Sequence, residues 1–475
     1  MNNHHLIWFR NDLRITDNSA LYFACKNQFN KVSALFIATP KQWLKHYDSP
    51  KKIVFMYEHL ILLQNKLYDL GIMLYFYQTK YFVDSIKYVL KFSLKYKINH
   101  IFYNYQYEIN EKKRDKILEK ILFKHNIAVS GFHDSCLISP QYIQTQTGLT
   151  YKRFSPFYKK IIKQLKFTIP KCYPVPKKRY FQNIFFKKHI AYFDFPYENI
   201  NKNIFPIGEE LALNNLKKFF QNNFKKYVDK KNFLFKNYTS LVSAYLNIGV
   251  LSSRQCLNIL VNYYPNIIYF NQKSDWFHQL IWKEFYQHLL EGYPLLSKNH
   301  SFYNWESKIP WSNNKKNLTA WKNGQTGYPI IDSGMRQLNK IGWINNRMRM
   351  ITASFLVKNL LIDWRQGEKY FMSRLIDGNF SANNGGWQWI ASVGVDSLSY
   401  LRIFNPVLQS KKFDPKGLYI RHYLPEINSV PKKYIHDPHV WIKKNNSQLN
   451  YPKPIIEYSK TRENTLLIFS QALKK

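Results

Sequence analysis

Between residues 5 and 135 the apolar positions follow two alternating regimes. Short runs rich in β-branched and aromatic residues, LIWF (6–9), VSALFIAT (32–39), IMLYFYQ (72–78), HIFYNYQY (100–107) and AVSGF (128–132), read as strands. Helix-length segments such as 53–70 and 111–124 lie between them, the latter with apolar residues at helical spacing. Strands separated by helices predict a parallel sheet with helices on both faces. From 137 to 205 the pattern breaks up, with prolines at 140, 156, 170, 174, 176 and 196 and no sustained period. This predicts a long inter-domain connector draped over the surface. After 205 the strand signal fades, and 209–224, 239–247, 252–263, 274–291, 329–341, 345–362 and 367–376 carry helical periodicity. The expected organisation is an α/β domain over 1–136, a connector over 137–205 and a mostly α-helical domain over 206–475.

Composition narrows the class. At 475 residues with 45% hydrophobic and 17% aromatic content, a globular chain of two domains is expected. No apolar run approaches bilayer length, and the opening MNNHHLIWFRNDLR is unlike a signal peptide, so a cytoplasmic protein without membrane association is expected. Cys25, Cys136, Cys172 and Cys256 show no CxxC spacing, which argues against a disulfide framework or a structural metal. Lysine and arginine number 70 against 30 acidic residues, a formal charge of +40. That excess suits a polyanionic partner, nucleic acid first, although a chain this rich in Asn, Ile, Phe and Tyr also reflects AT-rich coding. No GxGxxG or GxxxxGK follows any strand, so an ordinary dinucleotide or P-loop site in the first half is not expected.

Candidate chemistry concentrates in the helical half, where ten of the twelve tryptophans lie beyond residue 270. The stretch DGNFSANNGGWQW (377–389) joins an acid and three amides (Asn379, Asn383, Asn384) to a Gly-Gly pair and two indoles. It reads either as a turn with a packed aromatic pair or as a polar loop around a ligand, since glycine lets backbone approach closely. In WFHQLIWKEFYQHLL (276–290), Gln279, Trp282, Lys283 and Tyr286 share one helical face. Amide, indole, cation and phenol together suit stacking on a base and neutralising a phosphate, while an aromatic stripe also serves plain packing. WINNRMRMITASFLV (343–357) sets Asn346 and Met350 one turn apart and flanks them with Arg347 and Arg349, which need an anionic partner if buried. Thr239, Ser240 and Ser243 place hydroxyls just ahead of a helix, a possible phosphate cradle.

Taken together, WFRNDLRITDN, YNYQYEINE, LIWKEFYQHL, GQTGYPIIDSGMRQL, GWINNRMRM and DGNFSANNGGWQW resemble, in order and end to end, the DNA photolyase/cryptochrome family. The resemblance is to bacterial class I cyclobutane pyrimidine dimer photolyases with a folate antenna. It implies an α/β antenna domain, a helical domain holding one FAD, fully reduced when active, and 5,10-methenyltetrahydrofolate as second chromophore. Tyr227, Thr239, Ser240, Ser243, Trp276, Arg349, Asp377, Gly378 and Asn379 match flavin positions, with Arg349 pairing to Asp377. Asn383 matches the residue at the reactive edge of the flavin. Trp387, Trp364 and Trp311 match an indole chain that carries electrons to photoexcited, oxidised flavin. Lys231, Gln279, Trp282, Asn346, Arg347, Met350, Trp389 and Gln409 are the implied DNA or lesion contacts, and Lys283 and Tyr286 join them as expected contacts from the shared helical face. His46, Asn110, Glu111 and Lys298 match folate positions. The implied partner is UV-damaged DNA, its pyrimidine dimer flipped out of the duplex, bound by a monomer.

Three residues depart from the family pattern. Gln279 stands where a glutamate is usual, and an amide supplies neither a negative charge nor a proton. Leu241 replaces an arginine, and Asn379 replaces a second aspartate. Among rival activities, plant blue-light receptors of cryptochrome type carry an aspartate at the Asn383 position and usually a C-terminal tail, whereas this chain runs only 86 residues past Trp389. Repair of (6-4) photoproducts uses two histidines a turn apart, where this chain has Asn346 and Met350. A light-independent flavin oxidoreductase would need a nicotinamide site, which no motif supplies.

Overall fold

The computed structural model describes residues 3–179, 189–236, 238–269, 274–396, 401–445 and 448–473. The chain forms two compact units, the first Met1–Lys225, Ser240–Lys298 and Ile376–Asn379, the second Lys226–Thr239, Asn299–Leu375 and Phe380–Lys475.

In the first unit, β1 (His4–Phe9), β2 (Lys31–Ala38), β3 (Met73–Gln78), β4 (His100–Asn104) and β5 (Ala128–Phe132) form a parallel sheet of order β3-β2-β1-β4-β5. Registers such as Ile7 opposite Ala34 and Leu6 opposite Ile101 fix the central pairs. Every residue of β1 is buried, which is why it reads as an unbroken apolar run. The helices Pro50–Asp69, Phe82–Lys95 and Ile109–Lys124 alternate with the strands. Leu6, Trp8, Leu35, Val89, Ile101 and Leu118 belong to one core cluster.

The WFRNDLRITDN stretch turns out to be a structural knot. Arg14 pairs with Asp134, and Arg254 reaches Asp134 (2.6 Å) and Asp17 (3.0 Å), all four buried. The two guanidiniums hold the Asp134 carboxyl far below the usual range against the cost of its burial. Gly249 belongs to this knot, since a Cβ there would lie 2.1 Å from the Asn11 carbonyl oxygen, and its φ is +68°.

The expected connector contains a helix that the broken pattern concealed, Phe154–Phe167. Its buried Phe154, Phe157, Ile161 and Leu165 recur at helical spacing, and both phenylalanines pack on Phe285 of the helix Asp275–Gly292. Tertiary burial therefore outweighs the prolines and lysines around it, and this part is not simply draped over the surface.

The second unit is helical around a core that includes Trp321, Ile331, Leu338, Phe355, Leu356, Trp364, Phe371 and Trp387. The segment expected as one helix over 345–362 runs as α-helix through Asn346–Ser354 and as a π-turn through Phe355–Asn359. The GQTGYPIIDSG motif is also structural. Asp332 caps its own loop by accepting from the Thr326 and Gly327 amides (2.7 and 3.0 Å) and from the Tyr451 hydroxyl (2.7 Å).

Candidate functional site

The stretch 377–389 is not one loop. Asp377–Asn379 is a short turn, after which the helix Phe380–Ala391 runs straight through Gly385–Gly386. Two glycines cost helix propensity, yet packing of Ser381, Asn384, Trp387, Gln388, Ile390 and Ala391 holds the helix.

On the first unit, Asp377 is buried and its Oδ2 accepts from the Ser243 hydroxyl at 2.6 Å. The Gly378 carbonyl accepts from Lys52 Nζ (3.2 Å) and Asn247 Nδ2 (3.1 Å), which fixes the turn. Ser240 Oγ accepts from the Trp276 indole at 3.0 Å. Between them Leu241 adopts φ +54°, a left-handed conformation that costs a non-glycine residue about 1 kcal/mol. The sequence marked Leu241 for a missing cation; its strained backbone was invisible there.

On the helix Asp275–Gly292 the predicted shared face is the outward one. Gln279 is exposed and Trp282, Lys283 and Tyr286 are half-buried, while Trp276, Phe277, Leu280, Ile281 and Glu284 point inward. Two members differ from expectation. One face of Trp282 is covered by Phe154, stacked at 3.7 Å and 3°. Lys283 Nζ donates to Ser135 O (2.8 Å), Ser253 Oγ (3.0 Å) and Gln287 Oε1 (3.0 Å), so its three donors are spent inside the protein.

On the second unit, Asn345 Nδ2 donates to Lys231 O at 2.7 Å, which ties Lys231 to the start of the helix Asn346–Ser354. The Arg347 guanidinium lies 4.7 Å from the Phe413 ring centroid, and burial lowers its pKa. Gln409 is one turn from Phe413 on the helix Pro406–Phe413. Asn346 is exposed and Met350 half-buried. Arg349 Nε donates to Ile344 O at 3.1 Å. Tyr227 is buried, with Lys231 Nζ 5.9 Å from its ring centroid.

Trp311, Trp364 and Trp387, the indoles expected to form a relay, also lie in this unit. Trp387 is 3% exposed and packs edge-on against Phe371 at 4.9 Å. A Cβ at Gly367 would lie 2.1 Å from the Trp387 ring, so that glycine admits the indole to the helix Trp364–Arg374. Trp364 begins the same helix and is fully buried, while Trp311 is half-buried. Trp389, two residues from Trp387, projects elsewhere and donates its indole N–H to Asp396 O at 3.1 Å.

Asn383 lies one turn from both Gly386 and Trp387. Its Nδ2 donates to Glu368 O at 3.0 Å, which leaves Oδ1 to accept from a ligand. A Cβ at Gly386 would meet nothing within 4 Å, so the flank beside Asn383 is open. Asn384 instead has a structural role: it donates to Glu368 Oε1 at 2.8 Å, and burial pushes that carboxyl up to about 7.

In the first unit, His46, Asn110, Glu111 and Lys298 come together. Asn110 Nδ2 lies 3.1 Å from His46 Nε2, its Oδ1 accepts from Lys298 Nζ at 3.1 Å, and His46 Nδ1 lies 3.6 Å from Glu111 Oε1. Glu111 Oε2 is buried without a partner. Burial pushes the Glu111 carboxyl up to about 7, and burial together with Glu111 does the same for Glu108, a neighbour the sequence reading missed.

Cys136, Glu284 and His288 also meet, with ligand-capable atoms all within 4.8 Å of one another. Burial raises the thiol and the carboxyl and pushes the imidazole down to about 3, and the Lys283 ammonium stands 3.7 Å from Glu284 Oε1. A cation already serves that carboxylate, so we assign no metal there.

A family model described as the FAD binding domain of DNA photolyase matches residues 276–471, and one described as DNA photolyase matches residues 5–177. A deoxyribodipyrimidine photo-lyase of Buchnera aphidicola subsp. Baizongia pistaciae is 50% identical over 471 residues, covering 99% of this chain and 98% of its own. A bacterial class III photolyase from Agrobacterium tumefaciens superposes with a TM-score of 0.85 at 28% identity, covering 100% of this chain and 98% of its own. A Synechocystis cryptochrome gives 0.87 at 27% identity, covering 98% and 99%.

Proposed function

The chain belongs to the DNA photolyase family, and from that membership we propose that it is a light-dependent DNA-repair enzyme, a deoxyribodipyrimidine photo-lyase that binds FAD. The observation that carries the reading is the helix Phe380–Ala391, where Asn383 stands between an open flank at Gly386 and the buried indole of Trp387. Open space beside an unspent amide oxygen fits a planar cofactor, and the adjacent indole fits electron supply. Bound and fully reduced, FAD supplies on excitation the electron that splits the cyclobutane ring and then takes it back, with no net redox change.

The chain's own residues do the rest. Asn383 Oδ1 would accept a hydrogen bond from the edge of the bound cofactor's ring. Ser243 donates to the Asp377 carboxylate at 2.6 Å, and Asp377, Ser240, Trp276, Gly378 and Asn379 would contact the cofactor from that unit. For Tyr227, Thr239 and Arg349 the support is the resemblance of their motifs. Trp311, Trp364 and Trp387 are the electron relay. Residues 1–136 act as antenna domain and 206–475 as FAD-binding domain.

For DNA, Gln279, Trp282, Tyr286, Lys231, Asn346, Arg347, Met350, Trp389 and Gln409 are the proposed contacts to the flipped dimer. Lys283 is left out because its donors are spent. The cluster of His46, Asn110, Glu111 and Lys298 is the proposed folate site, and the unpartnered Glu111 Oε2 supports it, since a buried oxygen at pH 7 waits for a polar ligand. The protein is proposed to act as a cytoplasmic monomer; no helix among the described residues is long and apolar enough to cross a membrane.

The likeness to a cryptochrome keeps a light-receptor reading in play, because the fold alone does not separate repair from signalling. Purified, reduced protein is incubated with UV-irradiated oligothymidine in the dark and under near-UV or blue light. Dimers are expected to disappear only in the light. Their persistence with flavin bound and reduced would refute the enzyme and leave the receptor.

A further inference from the structure

The relay needs a direction: an electron vacancy must run toward Trp311 and rest there. Two ionic side chains supply an asymmetry between the indoles. Trp311 Nε1 donates to Glu306 Oε1 at 2.8 Å. The Glu306 carboxylate, 7% exposed as a residue, receives both terminal nitrogens of Arg365, Nη1 on Oε1 (2.8 Å) and Nη2 on Oε2 (3.0 Å). The Arg365 guanidinium carbon in turn lies 4.7 Å from the Trp364 ring centroid. Trp364 is fully buried, and its Nε1 has no acceptor.

Local folding explains the meeting. Glu306 sits in the short helix Asn304–Lys308, and the amide of Ser312 donates to Leu361 O at 2.7 Å, which lays the Trp311 segment beside Asp363–Arg365. Asp363 caps the helix Trp364–Arg374 and adds a second carboxylate to Arg365 at 3.2 Å. Burial alone would raise the Glu306 pKa, but hydrogen bonds from Arg365 and Trp311 outweigh it and hold the group below the usual carboxylate range. Lys358 Nζ lies 3.6 Å from the centroid of the Phe469 ring that packs on Trp311 and donates to Ala391 O and Ser392 Oγ (both 3.1 Å), and burial lowers its pKa.

An indole that loses an electron becomes positive. A carboxylate hydrogen-bonded to its N–H stabilises that charge, and a guanidinium over its ring opposes it. We propose that Glu306 and Arg365 are positioning residues that set the direction of the relay, making Trp311 the resting place of the vacancy and Trp364 a transit point. The inference rests on the relay reading of Trp311, Trp364 and Trp387. For each vacancy that reaches Trp311, one electron has passed along the indoles to the flavin, and no covalent bond forms or breaks.

The test is transient absorption after a laser flash on protein loaded with oxidised flavin, comparing the parent with Glu306→Gln, Glu306→Asp and Trp311→Phe. Glu306→Gln keeps an oxygen acceptor and removes the charge, and it is expected to lower the yield of long-lived tryptophan radical about ten-fold, with Glu306→Asp restoring part of it. The dark 15N–1H spectrum of the same samples shows whether the Trp311 indole resonance, identified by its loss in Trp311→Phe, has moved while the rest of the fold is unchanged. A radical yield in Glu306→Gln equal to the parent, with Trp311→Phe abolishing the signal, overturns the inference and leaves the relay standing. An unchanged yield in Trp311→Phe sinks the relay itself and the inference with it.

Discussion

Around Glu111 the first unit leaves a buried carboxyl oxygen without a partner, whereas the second unit packs the Trp387 indole closely against Gly367 and Phe371. The cluster of His46, Asn110, Glu111 and Lys298 holds a buried carboxyl with one oxygen unsatisfied and its pKa pushed up to about 7. Such a site is unfinished without a polar ligand, because a buried oxygen with no donor forfeits a hydrogen bond. The indole region is closely packed, although the buried Trp364 Nε1 has no acceptor: Trp387 fills the notch at Gly367 and meets Phe371 and Trp321. Ligand recognition requires unspent hydrogen bonds, and electron transfer requires aromatic groups in fixed proximity. With the proposed folate site in one unit and the proposed relay in the other, the two demands would account for the opposite local packing.

The largest expected effect comes from filling the notch. Gly367→Ala places a methyl group 2.1 Å from a rigid ring, and it should cost about 3 kcal/mol of unfolding free energy, at the top of the range for overpacking, measured by denaturant titration. A loss below about 1 kcal/mol would mean that the indole region yields as easily as the polar cluster. Next, Trp387→Phe should slow photoreduction of bound, oxidised flavin by about an order of magnitude or more, because phenylalanine is a far poorer electron donor than indole. An unchanged rate at equal flavin content would remove Trp387 from the relay.

The smallest effect tests the other side of the comparison. A carboxyl whose folded pKa lies near 7, raised from 4.5, binds more protons in the native state than in the unfolded state across that window. Its contribution to stability is therefore fully present below about pH 4.5 and is lost as pH rises through 7. Glu111→Gln should remove that dependence and gain about 1 kcal/mol relative to the parent between pH 5 and 8, read from melting curves with no added folate. Saturating folate should narrow the difference if Glu111 holds the ligand. A parent whose stability rises with pH across this window would show that Glu111 is not held neutral.

How much was legible varies along the chain. All five strands lie where the apolar runs predict them, because a parallel sheet covered on both faces needs continuous hydrophobic segments. The helix Phe154–Phe167 was hidden, since prolines and lysines mask a stripe whose value appears only against Phe285. DGNFSANNGGWQW was recognisable as a family motif, yet its Gly-Gly pair suggested a break where a helix runs. Lys283 shared a face with Gln279 by period alone, and its acceptors Ser135 and Ser253 lie far away in sequence.

The sequence by itself determined the parallel α/β sheet, the mostly helical second half and the family, because these rest on periodicity and ordered motifs. Only the tertiary structure decided which polar groups are spent and which remain available. Lys283 is consumed, Glu111 keeps an oxygen in reserve, and Glu306, which no motif singled out, meets Trp311 and Arg365. Hydrogen bonding and charge pairing act over a few ångströms between residues distant along the chain, so no local pattern records them.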